Sequence, residues 1–217
     1  QSVSKVFNLA LAIKKRNKKT KTGIDDISQI IGTEASFMSF NDINAHKMMD
    51  GSQGVPFTIN PFINSGAIAT VSLITSTKTQ TPVRQMINNL NDFSGSGYKS
   101  DNQPISMADY KKEVQWMRIN KKLSKKMKSL SEKFFKKKTN IRKFKYFQGN
   151  KDSLNIKSAL DNYTSICSVL TDSKKLADMS YTLANGGVNR NGKRILKCKE
   201  NRYVLSQMAY GGMYNSS

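Results

Sequence analysis

Apolar residues recur at helical spacing in the opening segment, and they predict an amphipathic helix over residues 2–15 that ends in charge. The apolar positions are Val6, Phe7, Leu9, Ala10, Leu11 and Ile13. A basic polar loop is expected after this helix. The segment IDDISQIIG then predicts a short helix closed by Gly32.

Helical patterns also dominate the rest of the chain. Small apolar residues over 64–74 predict a helix packed tightly in a core, and 81–97 predict a helix with a glycine-rich exit. Further helices are predicted at Tyr110–Leu130, Leu160–Leu170, Asp172–Ala184 (followed by the cap Asn185–Gly187) and Glu200–Tyr210. Strand patterns are few. Any central sheet is therefore expected to lie largely outside the two ends of the chain, both of which look cut.

Length and composition favour one domain with a substantial core. The chain has 217 residues, 37% of them hydrophobic, and a mean hydropathy of −0.55. The uncharged stretch Ser65–Thr75 is too short to cross a bilayer. Two cysteines, Cys167 and Cys198, and one histidine, His46, make a disulfide framework, a metal centre or a Ser-His-Asp triad improbable. No cofactor and no membrane association are predicted, and a cytoplasmic setting is the default.

The net charge of +21 is concentrated in two runs, Lys14–Lys21 and Lys121–Phe147. Such runs attract polyanions, and the aromatic residues of the second run could stack on bases. The competing interpretation is a solvated helix face and loop. It is favoured because no nucleic-acid-binding motif accompanies the charge.

Ser2 and Lys5 form a Ser-x-x-Lys pair one helical turn apart. A serine becomes a nucleophile when a base takes its proton, and a lysine serves as that base when burial lowers its pKa. Val3, Val6 and Phe7 are expected to supply the burial. The simpler interpretation is a helix cap and a surface charge, since this spacing often arises by chance in a lysine-rich chain.

Two further tripeptides are typical of Ser-x-x-Lys acyl-transfer enzymes, SDN at Ser100–Asn102 and KTG at Lys21–Gly23. In those enzymes KTG lies on a late core strand. Here it precedes SDN and follows the first helix in a polar loop. Both are therefore interpreted as coincidences.

Longer motifs carry a specific resemblance. QSVSKVF, IGTEAS, FNDI, NPFINSGAI, TLANGG and GGMY occur in order across nearly the whole chain. In this set and order the chain resembles the serine-dependent glutaminase family. The resemblance implies a β-lactamase/penicillin-binding-protein-like α/β (α+β) fold and hydrolysis of L-glutamine to L-glutamate and ammonia.

The resemblance also implies residue roles. Ser2 matches the nucleophile and Lys5 the general base. Asn64 matches an asparagine that binds the amino-acid head of the substrate. Tyr163 matches a tyrosine near the reaction centre, and Tyr214 one that assists proton transfer.

The family's glutamate and asparagine, seven positions apart, have two placements in this chain. Glu113 with Asn120 keeps both residue types, whereas Asp109 with Trp116 loses the asparagine. Glu113 and Asn120 are preferred as substrate-binding residues, although Ile119 stands where the family usually has an arginine.

The resemblance therefore predicts one partial glutaminase domain over 1–217 with a basic insertion around 121–157. L-Glutamine is the expected substrate and a homo-oligomer the expected assembly. These 217 residues alone are expected to be inactive, because half of the family's oxyanion hole lies beyond GGMY. The alternatives are a non-enzymatic derivative whose lysine-rich segment binds nucleic acid, and a Ser-Lys amidase for a related amide.

Overall fold

The computed structural model describes residues 2–20, 22–40, 58–95 and 156–211, together with Asp42 and Pro56. Within these ranges the chain forms helices α1 Ser4–Thr20, α2 Gly23–Ser28, α3 Asn64–Ser72, α4 Pro82–Ser94, α5 Ile156–Cys167, α6 Ser173–Ala184 and α7 Cys198–Gly211. None of the helices described is long and apolar enough to cross a membrane. The predicted helix Tyr110–Leu130 and the basic segment Lys121–Phe147 lie outside the described residues.

Helix α1 is the centre of the core and packs against α2, α3, α4 and α7. Every residue from Phe7 to Ile13 is buried, so α1 is enclosed on all sides over this stretch rather than amphipathic as predicted. Phe7 meets Phe93 of α4 edge-to-face with ring centroids 5.1 Å apart. The face that was predicted to be polar therefore contacts neighbouring parts of the fold, and even Asn8 is buried there.

Helix α3 is buried along its whole length, as its small apolar sequence predicts. It packs against α1 and α5. Before α3 in sequence, Ile31 and Thr58 form a parallel β-bridge. After α6, an antiparallel β-bridge joins Val188 and Arg194. These are isolated bridges, and the ranges described above contain no longer strand.

Capping residues close to each helix end in sequence determine where α4 and α6 begin or end. The Thr81 side chain accepts the Arg84 N–H at the start of α4, and Pro82 occupies the first turn. Helix α4 ends at Gly95, whose φ of +65° is left-handed. Helix α6 ends in the predicted Asn185–Gly187 cap, where the Gly187 N–H donates to the Thr182 carbonyl at 2.9 Å.

The predicted end of the first helix at residue 15 is wrong, because α1 continues to Thr20. Arg16 is only 1% exposed, and its Nε donates to Asp26 Oδ2 at 2.6 Å. Thr22 Oγ1 donates to the same carboxylate oxygen at 2.9 Å. This buried ion pair draws α2 back against α1 and allows the charged residues to continue the helix.

The neighbouring lysines are also part of the packing. Lys14 Nζ donates to Asn89 Oδ1 at 3.1 Å, and Lys15 Nζ donates to the Thr75 carbonyl at 2.9 Å. Burial lowers the pKa of Lys14 from its usual value. The interpretation of this run as a solvated face is therefore wrong for Lys14–Arg16, which join α1 to neighbouring elements.

Tyr203 on α7 makes the stability of the fold depend on pH in the alkaline range. Burial, and secondarily the Asp25 charge, raises the pKa of Tyr203 to about 12. Because folding favours the neutral phenol, its contribution to stability is complete below pH 10 and is lost as the pH rises through 12. We expect the free energy of unfolding to fall between pH 9 and pH 12 by up to about 2 kcal/mol more than in Tyr203→Phe. Urea unfolding of both proteins measures this difference, and equal losses would contradict the expectation.

Candidate active site

Ser2 and Lys5 differ sharply in their surroundings. Ser2 is exposed in the turn that precedes α1, and its carbonyl accepts the Lys5 N–H at 3.0 Å. Lys5, in the first turn of α1, is only 4% exposed. Val3 is half exposed, so the prediction that it helps to bury Lys5 is wrong. The alternative that Lys5 is a surface charge is wrong as well.

The Lys5 side chain is held by the segment that enters α3. Its Nζ donates to the Phe62 carbonyl at 2.6 Å and to Asn64 Oδ1 at 2.9 Å. Asn64, the first residue of α3, is itself buried. Two residues that the sequence predicts to act together, Lys5 and Asn64, are therefore in direct contact.

Tyr163 of α5 joins the same group. Its hydroxyl donates to Asn64 Oδ1 at 3.1 Å, so one amide oxygen accepts from both Tyr163 and Lys5. Tyr163 is buried. The structure thus brings together three of the predicted site residues from α1, α3 and α5, with exposed Ser2 three positions before Lys5.

Tight packing at the start of α3 positions Asn64. A Cβ at Gly66 would overlap the carbonyl oxygen of Asn60, so glycine is needed for this close approach. The N–H of Asn64 donates to the Phe40 carbonyl at 2.8 Å. Both contacts fix the direction in which the first turn of α3 presents its side chains.

Three neighbours of the site were missed by sequence reasoning. The Phe62 carbonyl contacts Lys5 through a main-chain atom, which no residue type signals. Cys167 Sγ lies 3.8 Å from Ser4 Oγ, and Ser4 directly precedes Lys5 in sequence. A Cβ at Gly211, where α7 ends, would meet the Phe62 ring, so this helix end packs against the site. A detectable signal was the Asn60–Pro61 pair, which is typical of turns.

Several predicted residues lie outside the part of the chain that the structure describes. They are Glu113 and Asn120, their alternatives Asp109 and Trp116, and Tyr214. Of the tripeptide KTG, Thr22 and Gly23 are described, and Gly23 begins α2 rather than a strand.

The chain resembles known proteins along its whole length. A family model described as Glutaminase matches residues 1–217. A glutaminase of Clostridium tetani is 30% identical over 218 residues, covering 100% of this chain and 60% of the relative. A glutaminase of Mycobacterium marinum is 26% identical over 223 residues, covering 100% of this chain and 57% of the relative. The first relatives are matched over 32% to 60% of their own length.

Solved structures support the fold. A Bacillus glutaminase superposes with a TM-score of 0.73 at 19% identity, covering 100% of this chain and 61% of that chain. A structure titled Mglu gives a TM-score of 0.74 at 21% identity, covering 100% and 46% respectively. The predicted β-lactamase-like glutaminase fold is thus confirmed at the level of overall fold, whereas its sheet content is not tested. The family match over the whole sequence shows that this chain belongs to the glutaminase family.

Proposed function

We propose that the full-length protein hydrolyses L-glutamine to L-glutamate and ammonia through an acyl-enzyme on Ser2. One observation carries this proposal. Lys5 is buried, and its amine is hydrogen-bonded to the Phe62 carbonyl and to Asn64 one helical turn after an exposed serine. Relatives that carry the name glutaminase support the choice of substrate.

The reaction begins with proton transfer from Ser2 Oγ to Lys5 Nζ. The Ser2 oxygen attacks the side-chain amide carbon of glutamine, and the backbone N–H of Ser2 donates to the developing oxyanion. The proton passes from Lys5 to the leaving nitrogen, and ammonia departs as the Ser2 ester forms. Water then attacks the ester with the same base, and glutamate and free Ser2 result. The fixed Phe62 and Asn64 acceptors orient the amine for both transfers.

Asn64 is proposed to bind the amino-acid head of the substrate. Its oxygen accepts from Lys5 and Tyr163, which makes Nδ2 the donor end for a substrate carboxylate. Tyr163 acts in this proposal through its bond to Asn64, whose oxygen also accepts from Lys5. Loss of the Tyr163 hydroxyl would loosen the Asn64 side chain and, through it, the Lys5 amine.

The roles of Glu113, Asn120 and Tyr214 stay predictions. Glu113 is proposed to pair with the substrate ammonium, and Asn120 to donate to its head group. Tyr214 is proposed to assist proton transfer.

The other expectations are proposals of the same kind. We take 1–217 as part of one glutaminase domain with a basic insertion around 121–157, built on a central sheet that this chain includes only in part. A homo-oligomer in the cytoplasm is the proposed assembly and setting. The alternative that the lysine-rich segment Lys121–Phe147 binds nucleic acid is not favoured, because the family model and the named relatives match the chain as a glutaminase along its whole length.

The test is ammonia release from glutamine by the full-length protein and by Ser2→Ala. We expect Ser2→Ala to lower kcat by more than about 1000-fold, because no hydroxyl remains to form the ester. Ser28→Ala is the matched control, since Ser28 is half-buried and its hydroxyl donates to the Asp25 carbonyl within α2. Absence of ammonia release by the unsubstituted protein, or undiminished release by Ser2→Ala, would refute the proposal.

A further inference from the structure

Asn60 lies at the start of the turn that leads into α3, and its side chain is fully buried. Oδ1 accepts the N–H groups of Phe62 at 2.9 Å and Ile63 at 3.1 Å. Nδ2 donates to the Glu34 carbonyl at 2.8 Å. An asparagine that bonds the main chain two and three residues ahead fixes the path of a turn. The Asn60 side chain therefore acts on main-chain groups.

The turn held by Asn60 carries two acceptors of the Lys5 amine, the Phe62 carbonyl and Asn64 Oδ1. Asn60 binds the N–H of Phe62, and the carbonyl of the same residue accepts from Lys5 Nζ at 2.6 Å. Asn64 Oδ1, the second acceptor, follows two residues later. Rotation of the peptides around Phe62 would move the carbonyl away from the amine. Asn60 thus influences the position of the Lys5 amine through one intervening residue, Phe62.

The turn is also anchored from the other side. Asn60 Nδ2 bonds the carbonyl of Glu34, and the N–H of Asn64 bonds the carbonyl of Phe40 at 2.8 Å. The backbone of Asn60 in turn lies so close to Gly66 that a Cβ there would overlap its oxygen. Segment 34–40, the turn and the first turn of α3 consequently form one connected unit.

We propose that Asn60 is a positioning residue for the Lys5 base, a role that rests on the proposed function. It holds the Phe62 carbonyl and Asn64 where they orient the Lys5 amine toward Ser2. If Asn60 had a purely structural role, its replacement would lower the stability of the protein and leave the pH dependence of the reaction unchanged. The two roles therefore differ in the pH dependence of the reaction.

The experiment measures kcat for ammonia release against pH in the full-length protein, with Asn60→Ala and Asn60→Asp as variants. We expect Asn60→Ala to lower kcat by about 10- to 100-fold, because small misplacements of catalytic groups have effects of this size. Loss of an acceptor disfavours the ammonium form, so the midpoint of the acid limb should move to lower pH. Asp retains acceptors for both N–H groups and adds a carboxylate that favours the ammonium form, so Asn60→Asp should not show the shift of the midpoint to lower pH.

Asn201→Ala is the matched control. Asn201 is also buried, and its Nδ2 donates to the Leu183 carbonyl at 2.9 Å between α7 and α6. It should lower the melting temperature and leave the pH midpoint unchanged. If Asn60→Ala does not fold, Asn60→Ser replaces it, since a hydroxyl supports such turns only weakly.

The outcomes separate the two proposals. An unsubstituted protein that releases no ammonia overturns the proposed function itself. An active unsubstituted protein with unchanged kcat and pH midpoint in the folded Ala or Ser variant overturns the positioning role of Asn60 alone. A midpoint shifted to lower pH in that variant, with no such downward shift in Asn60→Asp, supports it.

Discussion

Replacement of Lys5 by methionine in the full-length protein should lower kcat for glutamine hydrolysis by about 100- to 10,000-fold, the usual contribution of a positioned base. Methionine keeps much of the length of the side chain and provides no proton acceptor of useful basicity. It also leaves the Phe62 carbonyl and Asn64 Oδ1 without the bonds that they accept from Lys5. Steady-state ammonia release measures the effect, with thermal melting to confirm that the variant is folded.

Lys14→Met is the matched control for this prediction. Lys14 lies on the same helix, is largely enclosed and also donates to an asparagine oxygen, Asn89 Oδ1 at 3.1 Å. Its replacement should alter stability and leave kcat within about threefold, a small effect on the scale of a lost base. A folded Lys5→Met variant with kcat equal to that of Lys14→Met would show that Lys5 is not the base.

The second large effect concerns stability. Arg16→Met should lower the free energy of unfolding by about 3 to 5 kcal/mol, because it leaves the buried Asp26 carboxylate without its cation. The double variant Arg16→Met, Asp26→Leu should recover most of this loss, since apolar residues of similar volume often replace a buried ion pair at little cost. Urea unfolding of the three proteins measures both values.

An exposed ion pair provides the comparison. Lys193 Nζ lies 2.7 Å from Asp92 Oδ1 with both side chains well exposed to solvent. Lys193→Met should therefore change the free energy of unfolding by less than about 1 kcal/mol. If Arg16→Met had an effect as small as this, or if the double variant were less stable than Arg16→Met, burial would not be the reason for the strength of the Arg16–Asp26 pair.

Much of the helical fold could be predicted because its signals are local. Thr81, Pro82 and Gly95 specify the ends of α4 within a few residues of chain. The small residues of α3 likewise predict a helix that neighbours can approach closely. The contact between Lys5 and Asn64 was predictable only from the family resemblance, since 59 residues separate the two.

What could not be predicted depends on distant partners. A run of lysines and Arg16 resembles the end of a helix until Asp26 is known to lie against it. Whether Lys5 is buried depends on the 60–64 turn and on α5, rather than on its neighbour Val3. The Phe62 carbonyl is a main-chain group, which every residue possesses, so sequence cannot distinguish it.

The Lys5 cluster consists of Lys5, Phe62, Asn64 and Tyr163, which come from three segments that are far apart in sequence. This separation has a consequence for refolding. Its hydrogen bonds join Lys5 to Phe62 and Asn64 across 57 and 59 residues, and Asn64 to Tyr163 across 99. Contacts over such separations require the closure of long loops and therefore form late relative to local helices. A collapsed intermediate with α1 and α3 formed but α5 undocked would have native-like helix content and an incomplete cluster. Recovery of enzymatic activity should consequently lag behind recovery of helical circular dichroism and coincide with the docking of α5.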